Sequence, residues 1–305
     1  MLRRSSPILL AFTLILLLAC PLPSDDVVSG SKLQTEVDRA MAKLPGAFVI
    51  VDVTTRAVLA AHGMDLASLR LEAPGSTVKP FLLMALLETG KLDPKQQFIC
   101  RRPLKIGSAQ LDCTHPAEVR QLDAVEAIAY SCNSYVAQVA PRLNGAELVE
   151  VLRRAGFDTA SGLVAREARG RIVQPANLEE LQLEALGYRG IEVTPLELLE
   201  AYRKLALRKR QEDLGVDAPV FSGLESAVTF GMAHAASVDG MKIAGKTGTS
   251  VARNTQQTHG FFVGYAPAEK PEIAVVVFLV QGRGLDAAAT AQPVFSAFAK
   301  FRERP

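Results

Sequence analysis

The chain is predicted to fold as an α+β domain: one antiparallel sheet of about five strands, flanked by helices, with a mostly helical lobe beside it. Three observations predict this. Two apolar, β-branched runs lie close together near residue 50, and three more lie between 241 and 281. The stretch between them carries helix starts instead of strand patterns. Strands at both ends of a chain bury their faces most economically in one shared sheet, with the intervening helices packed beside it. The composition, 49% hydrophobic and 22% charged over 305 residues, is that of a globular chain with a sizeable core.

Taken in order, residues 21–32 are rich in Pro, Ser, Asp and Gly and read as a tether, followed by a short helix near 33–43. Ala47–Val53 and Ala57–His62, separated by Thr54-Thr55-Arg56, read as a hairpin. Pro74-Gly75 marks a turn. The apolar run Phe81–Leu87 after it is long enough for a buried helix, and Pro80 is tolerated only in a first turn, which fixes the start. Residues 91–122 read as irregular. Asp123 and Glu126 open a short helix to Tyr130; Ser131-Cys132-Asn133 interrupts it; a further helix follows over 134–139. Asn144-Gly145-Ala146-Glu147 caps the next helix, to Arg154, and 156–177 reads as loop. Thr194-Pro195-Leu196-Glu197 combines an N-cap threonine, a first-turn proline and an N3 glutamate, and predicts a helix to Arg208. Ser222 and Glu225 predict another, ending near Ala236. Met241–Thr247, Thr258–Ala266 and Glu272–Gln281 read as strands, and Asp286–Phe301 as a closing helix.

The N-terminus has the form of an export signal. Arg3-Arg4 precedes an apolar stretch, Pro7–Leu18, that is short for a membrane span of about 20 residues. Leu17-Leu18-Ala19-Cys20 resembles the bacterial lipobox, whose cysteine is lipidated; ordinary signal cleavage or a retained anchor are the alternatives. All three place the domain outside the cytoplasm. The division expected is a lipoprotein-type signal over 1–20, a tether and short helix over 21–45, and a folded domain over 46–302. Arg3 and Arg4 also account for the formal charge of +2, so the remainder is neutral and offers no electrostatic reason to bind nucleic acid. Cys100 and Cys113 lie near each other in a loop-like segment, and export permits a disulfide between them; two free thiols are the alternative. Cys132 is left over as a small buried residue. With no C-x-x-C or H-E-x-x-H and four scattered histidines, no metal site and no cofactor are expected. His234 and His259 are expected to be structural, and Glu88 to lie at the surface.

Three short motifs point to chemistry. Ser76 and Lys79, three apart, share a helix face near a helix N-terminus. A serine hydroxyl is a weak nucleophile until a neighbouring base takes its proton, and a lysine kept neutral by burial can be that base. Ser131 and Asn133 place a hydroxyl and an amide between two helices. Lys246-Thr247-Gly248-Thr249 places a cation suited to a carboxylate on a strand, next to a Gly248 bare enough for a substrate backbone to lie against. The motifs S-x-x-K, S-x-N and K-T-G follow at separations of 55 and 115 residues, the first on a helix and the last on a strand.

With these in place, the sequence resembles the penicillin-binding protein transpeptidase domain, within the superfamily shared with serine β-lactamases. Pro74–Pro80 resembles the P-G-S-x-x-K-P segment of that family, and Tyr130–Tyr135 its S-C-N-T-Y-F type segment. Gly187–Gly190 with Val193–Leu196 resembles its G-x-G…T-P-L run, and Gly260–Pro267 the strand after K-T-G. The likeness covers roughly 46–302 and lacks the family's common N-terminal pedestal. It implies an acyl-enzyme at Ser76, formed on the D-Ala-D-Ala end of a peptidoglycan stem peptide. Lys79 would take the serine proton, Ser131 would pass it to the leaving D-alanine, and Asn133 would hold the substrate amide and position Lys79. Lys246, with the Thr247 and Thr249 hydroxyls, would bind the terminal carboxylate, and the backbone N–H groups of Ser76 and Thr249 would form the oxyanion hole. β-Lactams would acylate the same serine.

The resemblance leaves D,D-carboxypeptidase and β-lactamase as alternatives. A class A β-lactamase needs a deacylating glutamate; Glu180-Leu181-Gln182-Leu183-Glu184 has an E-x-x-L start without the asparagine that usually follows, and reads as ordinary helix or loop. Class D enzymes usually carry valine where Asn133 stands. A non-catalytic β-lactam sensor or wall scaffold is the further alternative, against which stands the presence of every motif residue.

Overall fold

The structure, a computed structural model, describes residues 25–211, 213–251 and 257–302. Helix α1 spans Asp25–Met41, so the predicted tether is already helical from residue 25. Leu33, Val37 and Met41, four apart, form a buried stripe that docks it on the sheet.

Strands β1 (Gly46–Asp52) and β2 (Val58–His62) form the predicted hairpin. Helix α2 (Lys79–Glu88) follows a 3₁₀ turn over Gly75–Val78. Two short ladders, Phe98–Ile99 with Gln121–Leu122 and Lys105–Ile106 with Ala109–Gln110, order the segment expected to be irregular. Helices α3 (Ala124–Ala129), α4 (Asn133–Val139), α5 (Gly145–Ala155), α6 (Leu178–Ala185) and α7 (Pro195–Lys209) build the lobe. Three of them start where the sequence places them, because Asp123/Glu126, Asn144/Glu147 and Thr194/Glu197 each close a reciprocal capping box.

Helix α8 runs over Ala218–Thr229, four residues ahead of the predicted start at Ser222, with Pro219 in its first turn. Its expected continuation to Ala236 is broken, and His234–Ala236 is a separate 3₁₀ turn. Strand β3 (Ala244–Val251) lies further along than the predicted 241–247, because its partner β4 (Thr258–Ala266) pairs with it as far as Val251. Strand β5 (Ile273–Leu279) and helix α9 (Gly284–Arg302) complete the fold. Among the described residues, no helix is long and apolar enough to cross a membrane.

The sheet order is β2-β1-β5-β4-β3, antiparallel throughout, so strands from both ends of the chain meet at its centre. Side-chain alternation divides the core between the two faces. Val49, Val51, Phe261, Val263, Val276 and Phe278 face the lobe, with Leu82, Leu86 and Tyr202. Phe48, Ile50, Phe262, Val275 and Val277 face α1 and α9, with Val294 and Phe295. Burial on both faces is why these strands read as continuous apolar runs, each such side chain contributing about 1.5–3 kcal/mol. One register row runs Val49–Val276–Val263–Lys246 and delivers the lysine amine to the lobe side of β3.

Candidate active site

Ser76 lies in the 3₁₀ turn that feeds α2 and is half-buried. The turn is held from three sides. Thr77 Oγ1 donates to the Pro74 carbonyl (2.9 Å), Tyr202 on α7 donates from its hydroxyl to the Thr77 carbonyl (2.8 Å), and Gly75 N donates to the Gly187 carbonyl (3.0 Å). Gly75 has φ +56°, and a Cβ there would sit 2.6 Å from the Thr249 oxygen, so both the turn and its contact with β3 require glycine.

Lys79, in the first turn of α2, and Lys246, on β3, are both fully buried. Lys79 Nζ donates to the Ser131 carbonyl (2.8 Å) and to Asn133 Oδ1, and lies 3.4 Å from Ser131 Oγ. Lys246 Nζ donates to Ser131 Oγ (2.7 Å) and to the Thr247 carbonyl (3.1 Å). Ser131 thus stands between two amines. Its own φ of +54° is the kink that turns its side chain out between α3 and α4, a conformation costly for a residue with a Cβ. Asn133 is fixed at its other end, where Nδ2 donates to the Leu111 carbonyl (2.9 Å).

Burial lowers Lys79 to about 8, against a smaller opposing effect of the Cys113 and Cys132 thiols. Burial, then the charge of Lys79, lowers Lys246 well below the usual lysine range. Two ammonium groups sharing one hydroxyl in a dry site disfavour each other's charge, so the pair gives up its first proton early. A neutral Lys79 keeps two N–H bonds for Ser131 O and Asn133 Oδ1 and has a lone pair left for a hydroxyl proton. A base titrating near 8 is about one-tenth free at pH 7 and about nine-tenths free at pH 9. Any acylation that uses it is therefore expected to accelerate about tenfold over that interval, measured as the pH profile of second-order labelling by a β-lactam.

The K-T-G strand departs from expectation at its glycine. A Cβ on Gly248 would lie 2.5 Å from the Pro74 oxygen and 2.8 Å from Thr77 Cγ2. The space beside the bare Cα is filled by the turn that bears Ser76. Thr247 is buried and Thr249 exposed, and Thr249 Oγ1 accepts from Gly284 N (2.9 Å), which leaves its own proton to donate. The structure thus brings Lys79, Ser131, Asn133 and Lys246 together by direct hydrogen bonds, and places the Ser76 turn against Gly248 and Thr249 by backbone packing.

The cysteines also depart from expectation. Cys100, Cys113 and Cys132 are free, and no bond joins Cys100 to Cys113. Cys113 rests instead on Cys132, Sγ to Sγ 3.6 Å, because the α3–α4 kink carries Cys132 into the same pocket. Histidine is not absent from that pocket either: His115 Nε2 lies 3.6 Å from Cys100 Sγ. Neighbours 19 residues apart leave no short spacing motif by which to find them. Cys20 lies outside the described residues.

His259 is buried, with Nδ1 2.7 Å from the Val280 carbonyl and Nε2 3.2 Å from Glu72 Oε1, the structural histidine expected. His234 Nδ1 lies 3.1 Å from the Val228 carbonyl. Glu88 is exposed. Glu180 is spent on capping: its backbone N–H donates to Asn177 Oδ1 and its carboxylate accepts from Ala176 N. Glu184 is different. It is 1% exposed, and neither carboxylate oxygen meets a hydrogen-bond donor among the described residues. Burial, then the charge of Glu180, raises it to about 8. A carboxyl raised in the folded state is harmless below its unfolded pKa of 4.5 and destabilises increasingly as pH rises from there to about 8. Glu184→Gln is therefore expected to stabilise the fold at pH 8, on the order of 3 kcal/mol, and to change little at pH 4, as read from thermal melting at the two pH values.

Residues 46–300 match the family model described as the penicillin binding protein transpeptidase domain. This chain belongs to that family. Among relatives of this penicillin-binding family member, the probable peptidoglycan D,D-transpeptidase PenA of Neisseria flavescens is 27% identical over 256 residues, covering 73% of this chain and 62% of PenA. Peptidoglycan D,D-transpeptidase FtsI of Escherichia coli is 27% identical over 297 residues, covering 83% of this chain and 50% of FtsI. The chain thus spans about half to three-fifths of the length of these two relatives. The fold matches the crystal structure of Pseudomonas aeruginosa PBP2 in complex with WCK 5153 at a TM-score of 0.75 and 24% identity, over 88% of this chain and 74% of that one. It matches the D,D-transpeptidase domain of an Eggerthella lenta peptidoglycan glycosyltransferase at the same TM-score and 22% identity, over 90% and 82%.

Proposed function

We propose that this family member is a serine D,D-transpeptidase that binds penicillin. It acts on the D-Ala-D-Ala ends of peptidoglycan stem peptides, outside the cytoplasm, with residues 46–302 as the catalytic domain and an N-terminal lipid at Cys20. The observation that carries the reading is the buried Lys79 amine, bonded to Ser131 and Asn133 while Lys246 bonds the same Ser131 hydroxyl.

In this reading neutral Lys79 takes the Ser76 proton as Oγ attacks the penultimate D-alanine carbonyl. The oxyanion is held by the backbone N–H groups of Ser76 and Thr249, each worth roughly 3–4 kcal/mol in comparable enzymes. Ser131, between the two amines, relays the proton from Lys79 to the leaving nitrogen. The C–N bond breaks, D-alanine departs, and the acyl group stays on Ser76. Lys246 with the hydroxyls of Thr247 and Thr249 holds the substrate carboxylate; that negative charge favours the ammonium form of Lys246, which then disfavours a second charge on Lys79. Asn133 positions Lys79 through Oδ1 and offers its remaining amide hydrogen to the substrate. An amine from a second stem then takes the acyl group and cross-links the wall. The capped Glu180 gives no deacylating base, which favours a long-lived adduct over β-lactamase turnover.

The test is incubation with a fluorescent penicillin followed by peptide mapping. A stable adduct on the peptide containing Ser76 is expected; fast nitrocefin turnover would make the protein a β-lactamase, and no adduct on the folded chain would make it a scaffold. Mass spectrometry of products from a disaccharide-pentapeptide, with and without an amine acceptor, separates cross-linking from carboxypeptidase trimming.

A further inference from the structure

We infer that Cys100, Cys113, His115 and Cys132 form a structural zinc site. The four ligating atoms all lie within 4.8 Å of one another, and three of the four residues are buried. The separations have the size that zinc requires. A tetrahedron with Zn–S of about 2.3 Å and Zn–N of about 2.0–2.1 Å puts sulfurs about 3.8 Å apart and sulfur and nitrogen about 3.5 Å apart. Cys113 and Cys132 are separated by 3.6 Å, as are Cys100 Sγ and His115 Nε2. A disulfide needs about 2.05 Å. Three thiolates and an imidazole select zinc over magnesium or calcium, and four protein ligands make a closed site with no position for water.

The surroundings suit the charged form. Backbone N–H groups of Ser134 and Tyr135 donate to Cys113 Sγ and Cys132 Sγ, each at 3.4 Å. Arg102 Nε donates to Cys100 Sγ at 3.4 Å, and its Nη2 donates to the His115 carbonyl at 2.9 Å. Binding releases three thiol protons, and the resulting centre carries one net negative charge, which Arg102 balances. Such outer contacts orient ligands and hold their charge. His115 Nδ1 lies 3.1 Å from the Pro116 carbonyl, so once the Arg102 guanidinium edge moves off the ring, Nδ1 can donate to that carbonyl and leave the Nε2 lone pair for the metal. Arg102 Nη2 lies within 3.0 Å of both ring nitrogens, so the ion takes over the place of that guanidinium edge at Nε2.

The site ties two loops to the α3–α4 kink. Cys100 follows one short strand, Cys113 and His115 lie on the returning loop, and Cys132 caps α4. Cys132 stands between Ser131 and Asn133, so the ion fixes the segment that presents both to Lys79. That consequence, unlike the metal site itself, rests on the acyl-transfer reading.

The test uses the full chain without a histidine tag, purified under reducing conditions. Elemental analysis is expected to find about one zinc per chain, falling to below about 0.2 in Cys113→Ser and His115→Ala. Chelation is expected to lower the melting temperature and zinc to restore it. Should the variants fail to fold, cobalt exchanged into the wild type decides, by thiolate-to-cobalt charge-transfer absorbance. No metal after incubation with equimolar zinc, no such absorbance, or a Cys113–Cys132 disulfide as the main species in peptide mapping overturns the proposal. Zinc present with unchanged penicillin labelling after its removal would overturn only the link to Ser131 and Asn133.

Discussion

Lys79→Met is expected to slow labelling by a fluorescent penicillin at least about a thousandfold while leaving the protein folded. The loss follows from chemistry: a positioned base contributes about 10²–10⁴-fold, and among the described residues Lys246 is the other amine at Ser131, already committed there at 2.7 Å. The folded state survives because the two energetic consequences oppose each other. Burying an ammonium completely costs several kcal/mol, which methionine of similar length does not incur. Against that, the Ser131 carbonyl and Asn133 Oδ1 lose their donor, at about 1–3 kcal/mol each. A melting temperature within a few degrees of wild type is the expected net result. Lys79→Arg should be equally inactive, since a guanidinium does not surrender its proton. Labelling of the methionine variant within tenfold of wild type would remove Lys79 from the mechanism.

What the sequence disclosed about this site was local, and what it concealed was made by distant contacts. Thr194-Pro195-Leu196-Glu197 announced its helix because all the atoms of a capping box lie within four residues. The five strands were legible because burial on both faces leaves apolar residues at nearly every position. Lys79 and Lys246 were legible as types, through S-x-x-K and K-T-G, but their shared partner was not: Ser131 meets them across separations of 52 and 115 residues. The α8 start was missed because Pro219 and the preceding 3₁₀ turn set it, while Ser222 and Glu225 look like a cap without being one. The cysteines differ from the sequence expectation for the same reason. Sequence proximity favoured Cys100 with Cys113, and only the kink at Ser131 brings Cys132 against Cys113. Gly248 was recognised as a place of close approach, but its neighbour proved to be the Pro74–Thr77 turn.

That last contact carries the second large effect. Gly248→Ala is expected to cut the labelling rate about a hundredfold and to lower stability by only about 1–3 kcal/mol. The new methyl meets the Pro74 oxygen at 2.5 Å, and backbone cannot rotate aside as a side chain can. The Pro74 carbonyl is also held in place by Thr77 Oγ1, so the turn resists as a unit. Either the turn bearing Ser76 or the strand bearing Lys246 and Thr249 must therefore shift. A displacement near 1 Å at reacting groups costs on the order of a hundredfold in rate, while the core on both sides of the sheet is left packed. Val251→Ala, on the same strand at an exposed position, is the control and should change neither quantity. Labelling rates and melting curves of the three proteins make the comparison. A Gly248→Ala protein that is less stable yet labels at the wild-type rate would show that contact between β3 and the Ser76 turn does not set their alignment. The geometry then holding hydroxyl and amine in register would have to come from the Ser131 side alone.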